Sequence, residues 1–281
     1  MRVLALLLCF AATTASAVET KVFKDISYKD DVISQTPYEQ ERCKLDLTIP
    51  AGAKGFATYV WFHGGGLKNG AKDLRSQYCT EIRESLAQSG VAVVTPNYRL
   101  SPKVKYPAYV DDAAAAFAWT VKHIAEHGGD PRKVFIGGHS AGATLALLVG
   151  MDPNRLKPHG LTLGSVAGIA QVSAQVLTHF TIREERGQPR YAITCDEAAP
   201  AFYIRKALPP ILSIYAQHDM LSRAEENQFF VSTLKAAGHV ETYSLRVDDR
   251  DHGTVGHNIR HHDDPARLAI LNFIAKQSAG R

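Results

Sequence analysis

Short runs of consecutive apolar residues recur along the chain and are separated by longer segments that have helical character. Four of these runs do not alternate with polar residues, which is typical of parallel strands buried on both faces. They are Thr58–Phe62, Val91–Val94, Val134–Ile136 and Ile211–Ala216. Four further segments complete the predicted strands: Val22–Tyr28 at an edge, Lys44–Ile49, Leu163–Ile169 and Glu241–Val247. Apolar and polar residues alternate strictly in Lys44–Ile49, so we expect a half-exposed strand there.

The segments between the strands predict helices. These helices cover about Asp73–Ser89, Pro107–His127, Ala141–Val149 and Arg223–Ala237, and a C-terminal helix begins at Asp264-Pro265. Proline at a helix start and glycine just past a helix end support several of these limits. Strands alternate with helices from residue 57 onward. This order predicts an α/β fold, in which a mostly parallel sheet of eight strands has helices on both faces.

Composition narrows the class of protein. A length of 281 residues with 45% hydrophobic content predicts one domain with a sizeable core. The formal net charge is +4, and no run of Lys or Arg residues occurs. We therefore expect no nucleic-acid partner.

The first residues have the organisation of a secretory signal peptide. Arg2 precedes an apolar run that extends to Ala12, and Ala15-Ser16-Ala17 forms a small-residue cleavage site. We expect cleavage after Ala17, which removes residues 1–17 and leaves a secreted or periplasmic domain of residues 18–281. No second apolar stretch reaches transmembrane length, so stable membrane insertion is not expected.

Three cysteines remain after that cleavage, namely Cys43, Cys79 and Cys195. An exported protein with three cysteines can form one disulfide and keep one free thiol, with three possible pairings. A chain of this length does not need a disulfide to be stable. The sequence therefore leaves the pairing open.

One strand-to-helix junction carries a candidate nucleophile. Ser140 stands between a buried strand and an apolar helix, with Gly138 two residues before it and Gly142 two residues after it. So sharp a turn needs small neighbours, and it exposes the serine oxygen at the carboxyl edge of the sheet, at a helix N-terminus. The spacing predicts that Ser140 is a nucleophile. The alternative is a glycine-rich turn that only lets two elements pack closely.

A second motif follows the strand that ends at Phe62. Its sequence is His63-Gly64-Gly65-Gly66, which places three consecutive glycines at the same edge of the sheet as Ser140. Glycines without side chains let backbone N–H groups turn toward an anion. We therefore expect an oxyanion hole made by the N–H groups of Gly64, Gly65 and Ala141. A flexible surface loop is the alternative.

A serine nucleophile also needs a base and a carboxylate that orients the base. In open α/β sheets these groups are expected on loops after later strands. Asp219 follows the strand Ile211–Ala216 and is the candidate acid, and His252 follows the last strand and is the candidate base. Two rival acids, Asp248 and Asp249, and one rival base, His257, stand close by in the sequence.

Three histidines could be interpreted as metal ligands, because His257 and His261 have helical spacing and His262 follows directly. No partner motif accompanies them, and a solvated face is the favoured interpretation. We expect no metal and no organic cofactor, since the oxyanion hole would supply the electrophile.

The chain resembles α/β-hydrolases of the hormone-sensitive-lipase-like esterases and the related carbohydrate-ester esterases. The matching stretches are His63-Gly64-Gly65-Gly66, Asn97-Tyr98-Arg99-Leu100, Tyr106-Pro107 to Asp111-Asp112, Gly138-His139-Ser140-Ala141-Gly142, Leu208-Pro209-Pro210, Asp219 and His252-Gly253. The resemblance implies the α/β-hydrolase fold over residues 18–281. It also implies the roles expected above for the serine, the acid, the base and the three amides.

Two departures from the family bear on the substrate. Leu67 stands where many relatives carry an aromatic residue that lines the acyl pocket. The N-terminal segment is short, so we expect a reduced cap, formed by residues 174–207, with no evident regular helix of its own. A connection of that length is typical of a functional segment. Its mixture of aromatic and charged residues suits a partly wet roof over Ser140 better than a lipid-binding lid.

These features predict an exported serine carboxylic-ester hydrolase that acts on short-chain esters through an acyl-serine intermediate. The expected substrate is a small-molecule or carbohydrate-linked ester with an acyl group of about two to four carbons, because a partly wet roof suits short acyl groups. A long acyl channel would reveal itself in the substrate preference, since each methylene that it accepts can add up to about 0.8 kcal/mol. An amide or formamide hydrolase with the same machinery is one alternative. A catalytically silent homologue that binds an ester or amide ligand is another.

Overall fold

One mixed sheet organises the molecule. The structure is a computed structural model that describes residues 18–29 and 35–281. The predicted signal peptide, residues 1–17, lies outside the described residues. The sheet has eight strands in the order β1-β2-β4-β3-β5-β6-β7-β8. Their bounds are β1 Thr20–Ser27, β2 Lys44–Pro50, β3 Phe56–Phe62, β4 Ala92–Pro96, β5 Gly129–His139, β6 Ile169–Val172, β7 Ile211–His218 and β8 Thr242–Asp251.

The strands run mostly parallel, as predicted. Strand β2 pairs antiparallel with both β1 and β4, and all other neighbouring pairs are parallel. Strands β3 and β5 are neighbours, with Phe62 opposite Gly138. The loops that follow these two strands therefore leave the sheet side by side. The loops after β7 and β8 leave the same edge two and three strands away from β5.

Helices cover both faces of the sheet. The α-helices of the described residues are α1 Pro37–Arg42, α2 Cys79–Ala87, α3 Ala108–His123, α4 Ala141–Met151, α5 Phe180–Glu185, α6 Arg223–Ala236, α7 Thr254–His257 and α8 Pro265–Ser278. Apolar side chains of α3, α4 and α6 belong to one buried core, and those of α2 and α8 belong to a second core on the opposite face. The predicted α/β architecture, with eight strands between two helical layers, is confirmed.

Local chemistry explains where some of these elements begin. The side chain of Asp264 accepts hydrogen bonds from the N–H groups of Ala266 and Arg267, and Pro265 occupies the first turn of α8. A proline costs nothing there because its missing N–H would have no partner inside the helix. Helix α2 begins only at Cys79, since Tyr78 has a φ of 51° and interrupts the predicted helix Asp73–Ser89.

Two other predicted limits are wrong. Strand β6 covers Ile169–Val172 instead of Leu163–Ile169, because Leu163–Ser165 forms a 3-10 turn. Thr162 fixes this turn, as its Oγ1 accepts a hydrogen bond from the N–H of Gly164. The predicted helix Pro107–His127 is α-helical only to His123 and ends as a 3-10 turn.

Strand β2 was expected to be half-exposed, and it is buried from Leu45 to Pro50. Its polar residue Asp46 does not face solvent. One carboxylate oxygen lies 2.7 Å from Lys72 Nζ, and the other lies 2.8 Å from Arg83 Nη1. A paired internal charge is tolerated because each partner satisfies the other. The alternating pattern therefore reflects a buried ion cluster instead of a solvent-facing side.

The segment of residues 174–207 has more regular structure than the sequence indicated. It contains the helix α5 and a 3-10 turn at Pro200–Tyr203, so the expectation that it lacks a regular helix is wrong. Across residues 18–29 and 35–281, no helix has the length and apolarity needed to cross a bilayer. Within those ranges Cys43, Cys79 and Cys195 are all free thiols.

Candidate active site

Ser140 sits on a strained turn between β5 and α4. Its φ and ψ are 57° and −121°, values that cost a non-glycine residue energy unless the surroundings enforce them. The turn is enforced by close packing against the end of β3. A Cβ atom added to Gly142 would lie 2.2 Å from the carbonyl oxygen of Phe62, so only glycine fits there. The serine side chain is thereby presented at the carboxyl edge of the sheet.

His252 reaches Ser140 from the loop after β8. Its Nε2 lies 2.8 Å from Ser140 Oγ. Asp251 holds this loop, because its carboxylate accepts a hydrogen bond of 2.7 Å from the N–H of Thr254. The ring of His139 also contacts this loop, since its Nε2 lies 2.7 Å from the carbonyl oxygen of His252. Burial lowers the pKa of His139 to about 3, so this imidazole is neutral and its Nε2–H donates to that carbonyl.

Asp219 completes the chain of contacts. Its Oδ1 lies 2.5 Å from Nδ1 of His252, and Ser173 Oγ donates to its Oδ2 over 2.5 Å. Burial alone would raise the pKa of the Asp219 carboxyl, but hydrogen bonds from His252, Ser173 and the N–H of Met220 lower it overall. The carboxylate is therefore ionised and accepts the Nδ1–H of His252. Nε2 of that imidazole is then free to accept the Ser140 hydroxyl proton.

The three predicted amide donors lie on the two loops that flank Ser140. Gly64 packs directly on the serine, since an added Cβ would stand 3.4 Å from Ser140 Cβ. Within the described ranges, the N–H groups of Gly64, Gly65 and Ala141 donate to no protein acceptor. Backbone amides without a partner are suited to bind the oxygen of a substrate anion.

The glycine loop is rigid. A Cβ on Gly65 would fall 2.1 Å from the carbonyl oxygen of Asn69, and Gly65 has a φ of 106°. The hydroxyl of Tyr98 donates to the carbonyl oxygen of His63 over 2.8 Å, and the two rings stack at 4.3 Å. A loop held in this way presents its N–H groups in a fixed direction, unlike the flexible surface loop considered as the alternative.

The rival acids and the rival base lie elsewhere. Asp248 is exposed and pairs with Arg246 at 2.8 Å, while the N–H of Asp249 donates to the side chain of Gln217. The ring of His257 contacts that of His139 with centroids 5.8 Å apart, and it makes no contact with Ser140 among the described residues. The structure thus brings together Ser140, His252 and Asp219, and it does not bring the three rivals to the serine.

The three histidines near the C-terminus are not arranged around a common point. His257 belongs to α7, whereas His261 follows a 3-10 turn that separates the two residues. Across the part of the chain that the structure describes, no group of three or more His, Cys, Asp or Glu side chains is arranged to hold a metal ion.

The segment of residues 174–207 docks on the glycine loop. Thr181 Oγ1 donates to the carbonyl oxygen of Gly66 over 2.5 Å, and Lys68 pairs with Glu184 at 2.6 Å. The ring of Phe180 lies against Gly66, where an added Cβ would meet it at 3.1 Å. Leu67 is fully buried in the core, so the aromatic surface beside this loop comes from α5.

Two residues of the site were missed by the sequence analysis. Ser173 lies at the carboxyl end of β6 and His139 lies inside the serine motif, and neither was assigned a role. Its position in the sequence could have indicated a role for Ser173. It is a polar residue that directly follows a buried strand, at the sheet edge that carries the other site residues. The prediction placed β6 too early in the sequence, at Leu163–Ile169, and this concealed that signal.

The class of protein follows from this fold and from a match to known sequences. A family model described as alpha/beta hydrolase fold matches residues 59–255, which is more than half of the chain. The chain belongs to this family, and the resemblance drawn from its motifs is confirmed.

Individual relatives are similar over part of their length. Lipase 2 of Moraxella sp. (strain TA144) is 38% identical over 93 residues, which are 33% of this chain and 21% of the lipase. Esterase LipQ of Mycobacterium tuberculosis is 28% identical over 178 residues, 56% of this chain and 41% of that esterase. The chain therefore spans less than half the length of these curated relatives. Esterase B from Lactobacillus rhamnosis (HN001) has a similar structure, with a TM-score of 0.73, 21% identity and coverage of 94% of this chain and 88% of that one.

Proposed function

We propose that this protein is a serine carboxylesterase that hydrolyses short-chain esters. One observation carries the proposal. Ser140 Oγ, the His252 imidazole and the Asp219 carboxylate form one continuous chain, with distances of 2.8 Å and 2.5 Å. This chain ends beside three unpartnered backbone amides, as nucleophilic acyl transfer requires. The relatives reported above are named lipase and esterase, which agrees with this chemistry.

Acylation would begin with proton transfer. His252 Nε2 takes the proton of Ser140 as Oγ attacks the carbonyl carbon of the ester. The carbonyl oxygen becomes an oxyanion, which the N–H groups of Gly64, Gly65 and Ala141 stabilise. As the carbon–oxygen bond to the alcohol breaks, His252 gives its proton to the departing alkoxide.

Deacylation repeats the same steps with water. His252 removes a proton from the water molecule, and the resulting oxygen attacks the acyl group on Ser140. The same three amides hold the second oxyanion, and the proton returns to Ser140 Oγ as the carboxylic acid leaves. Throughout both steps Asp219 keeps the imidazole in the correct tautomer and stabilises its positive charge.

The expected size of the acyl group depends on the residues above the glycine loop. Phe180 lies against Gly66, and the guanidinium of Arg190 stacks on the Phe180 ring at 3.8 Å. An aromatic ring covered by a cation is a partly polar wall, which suits a short acyl group better than a long apolar one. We therefore propose a preference for acyl groups of about two to four carbons and no activation at an oil–water interface.

A chain-length series tests this proposal. Acetate, butyrate, octanoate and dodecanoate esters of one phenol are compared by kcat/KM. We expect acetate or butyrate to be the best substrate and dodecanoate to be at least about tenfold poorer. A steady rise to dodecanoate would contradict the proposed size limit and favour a lipase. The anilides of the same acids serve as amide controls, and we expect little turnover of them, since an anilide is a less reactive acyl donor than a phenol ester.

We also propose that the enzyme is exported after cleavage behind Ala17, on the basis of the sequence pattern of residues 1–17. The test is the N-terminal sequence of the protein recovered from its native host. A mature chain that starts at Val18 is expected, and a chain that retains Met1 would contradict export through this signal.

A further inference from the structure

A cavity of about 500 Å³ lies beside the candidate active site. Two of its lining residues adjoin the proposed chemistry, because Met220 follows Asp219 directly and Phe180 of α5 lies against Gly66. Its other walls come from α5, from the loop after α5 and from the start of α6. A volume of this size accommodates a small-molecule substrate.

Three arginines line this cavity, namely Arg183, Arg190 and Arg223. Arg183 is 4% exposed and Arg223 is 3% exposed, so two of the three guanidinium groups are withdrawn from solvent. Buried arginines are uncommon unless a partner compensates the charge. The hydrogen bonds and ion pairs of these two residues therefore decide whether their charge is already satisfied.

The protein satisfies them only in part. Arg183 donates through Nη1 to the carbonyl oxygen of Ala192, and its buried Nε has no partner among the described residues. Arg223 donates through Nη1 to the carbonyl oxygen of Ser173 at 2.9 Å. Within the described ranges, neither guanidinium forms a salt bridge with a carboxylate. Both contacts are to neutral carbonyl groups, so carboxylates offset the two positive charges only at longer range, chiefly that of Glu226.

One carboxylate, that of Glu226, also lines the cavity, but backbone amides already engage it. Glu226 Oε2 accepts hydrogen bonds from the N–H groups of Val176 at 3.0 Å and Leu177 at 3.3 Å. Glu184, which lies outside the lining, is shared by Arg190 at 2.9 Å and Lys68 at 2.6 Å. The lining of the cavity therefore holds one carboxylate against three arginines.

Charged groups around the cavity shift the pKa values of its buried residues. Burial lowers the pKa of Arg223, the carboxylates of Glu226 and Asp219 oppose this effect, and the positive charge of Arg183 adds to it. Burial, followed by the charges of Arg223 and Arg183, holds the pKa of the adjacent His179 well below its usual value. A negative charge placed in the cavity would therefore be attracted by the surrounding groups.

The rim of the cavity is apolar. Tyr191, Ile193 and Leu221 line it and are 81%, 90% and 92% exposed, respectively. Together with the buried guanidinium groups, this rim fits a ligand that has a charged end and an apolar body.

We propose, on the basis of the ester hydrolysis proposed above, that the cavity selects esters that carry a free carboxylate. The carboxylate lies against Arg183 and Arg223, with Arg190 at the entrance, while the ester carbonyl lies at Ser140. Carboxylates suit guanidinium groups because the two oxygens can accept two parallel N–H bonds. Substrates of this class include monoesters of dicarboxylic acids and acyl esters of hydroxy acids.

The test compares each charged ester with a neutral ester of nearly the same shape. Monoethyl glutarate and ethyl glutaramate place the charge on the acyl side, whereas 3-acetoxybenzoate and 3-acetoxybenzamide place it on the alcohol side. Initial rates are followed by acid release. We expect kcat/KM to be at least about tenfold higher for the charged member of one pair, and that pair identifies the side that enters the cavity.

Substitutions of arginines test whether the preference for charged esters arises in the cavity. Arg183→Gln is expected to lower the charged-to-neutral ratio about tenfold, and Arg183→Lys to restore part of it. Arg186→Gln is the matched control. This arginine follows the same helix but pairs with Asp196 and Glu197 and does not line the cavity, so the ratio should stay at the wild-type value. Arg190 is at an exposed position, so the charged-to-neutral ratio of Arg190→Gln provides a second test if the Arg183 variants fold poorly.

A binding measurement separates this inference from the proposed reaction. Ser140→Ala protein is titrated calorimetrically with both members of each pair, and at least about tenfold tighter binding of one carboxylate is expected. Equal binding and equal turnover of charged and neutral esters would overturn the inference and leave the esterase proposal intact. Tighter binding of a carboxylate, lost in Arg183→Gln, without turnover of any ester by the wild type would support the cavity's selectivity and overturn the proposed hydrolysis.

Discussion

Ser173 and Asp219 share a hydrogen bond that fixes the acid of the proposed triad. Ser173 Oγ lies 2.5 Å from Asp219 Oδ2, on the side of the carboxylate opposite to His252. The N–H groups of Ala216 and Met220 donate to the same carboxylate at 3.3 Å and 2.8 Å. Both oxygens are therefore restrained, and the imidazole meets a carboxylate whose orientation does not depend on the imidazole itself.

Ser173→Ala removes the hydroxyl that restrains Oδ2. We expect kcat to fall about tenfold with little change in KM, because a positioning contact acts on the reacting geometry more than on substrate binding. Ser173 has a φ of 54°, so the alanine also carries backbone strain. Ser173→Gly lacks the hydroxyl without that strain, and it should show the same loss. Wild-type turnover in the glycine variant would contradict a positioning role.

Asp219→Asn tests the identity of the acid. The amide cannot stabilise the imidazolium and favours the wrong tautomer, so kcat should fall by about 10³-fold or more. Asp248→Asn is the matched control, since Asp248 pairs with Arg246 on the surface. It should retain activity within about twofold. If the Asp248 variant were the inactive one and the Asp219 variant active, the assignment of the acid would be wrong.

The turn at Ser140 depends on a glycine that cannot be replaced. A Cβ on residue 142 would lie 2.2 Å from the carbonyl oxygen of Phe62 and 2.5 Å from that of His63. Gly142→Ala should therefore lower the free energy of unfolding by about 2–3 kcal/mol. Gly164→Ala is the control, because its nearest contact is the side chain of Thr162 at 3.3 Å. Chemical denaturation of the two variants makes the comparison, and equal stability would refute the close packing.

Much of the fold could be predicted because strand periodicity and glycine spacing are local properties. The serine motif and the three-glycine motif require particular backbone geometry, which leaves a direct mark on the sequence. The limits of β6 could not be predicted, since the 3-10 turn at Leu163–Ser165 interrupts an otherwise apolar stretch. The burial of β2 could not be predicted either, because the partners of Asp46 lie far away in the sequence.

The candidate site, like the fold, could be predicted only in part from the sequence. Ser140 and the glycine loop carry specific motifs, whereas the acid had to be chosen among neighbouring aspartates by strand order alone. The role of Ser173 depends on a contact between the ends of β6 and β7, and no local pattern reports such a contact. The cavity arginines escaped notice for a similar reason, since an exposed and a buried arginine look alike in a sequence.

Three buried histidines make the stability depend on pH. Burial lowers the pKa of His63 and of His139 to about 3, and burial with the charge of Arg223 holds the pKa of His179 well below its usual value. The unfolded chain binds a proton at each histidine below about pH 6.5, while the folded chain does not. Stability is therefore lost as the pH falls below that value, by about 1.4 kcal/mol for each of His63 and His139 between pH 7.5 and 5.5.

Urea unfolding at pH 7.5 and 5.5 measures this loss, and His179→Asn provides the matched variant. His179 caps α5 by accepting a hydrogen bond from the N–H of Thr181, and an asparagine oxygen can do the same. The variant should lose less stability than the wild type over this pH interval, because the histidine that is neutral in the folded state is no longer present. An identical difference between the two pH values in both proteins would show that His179 does not contribute.

Labelling of Ser140 tests the central claim most directly. The protein is treated with a fluorophosphonate, and the modified residue is located by peptide mass spectrometry, with Ser140→Ala and His252→Ala treated in parallel. We expect one adduct, on Ser140, that is absent in Ser140→Ala and much slower to form in His252→Ala. Turnover of a phenyl butyrate should fall at least about 10³-fold in Ser140→Ala. An adduct on another residue, together with undiminished hydrolysis by Ser140→Ala, would contradict the account.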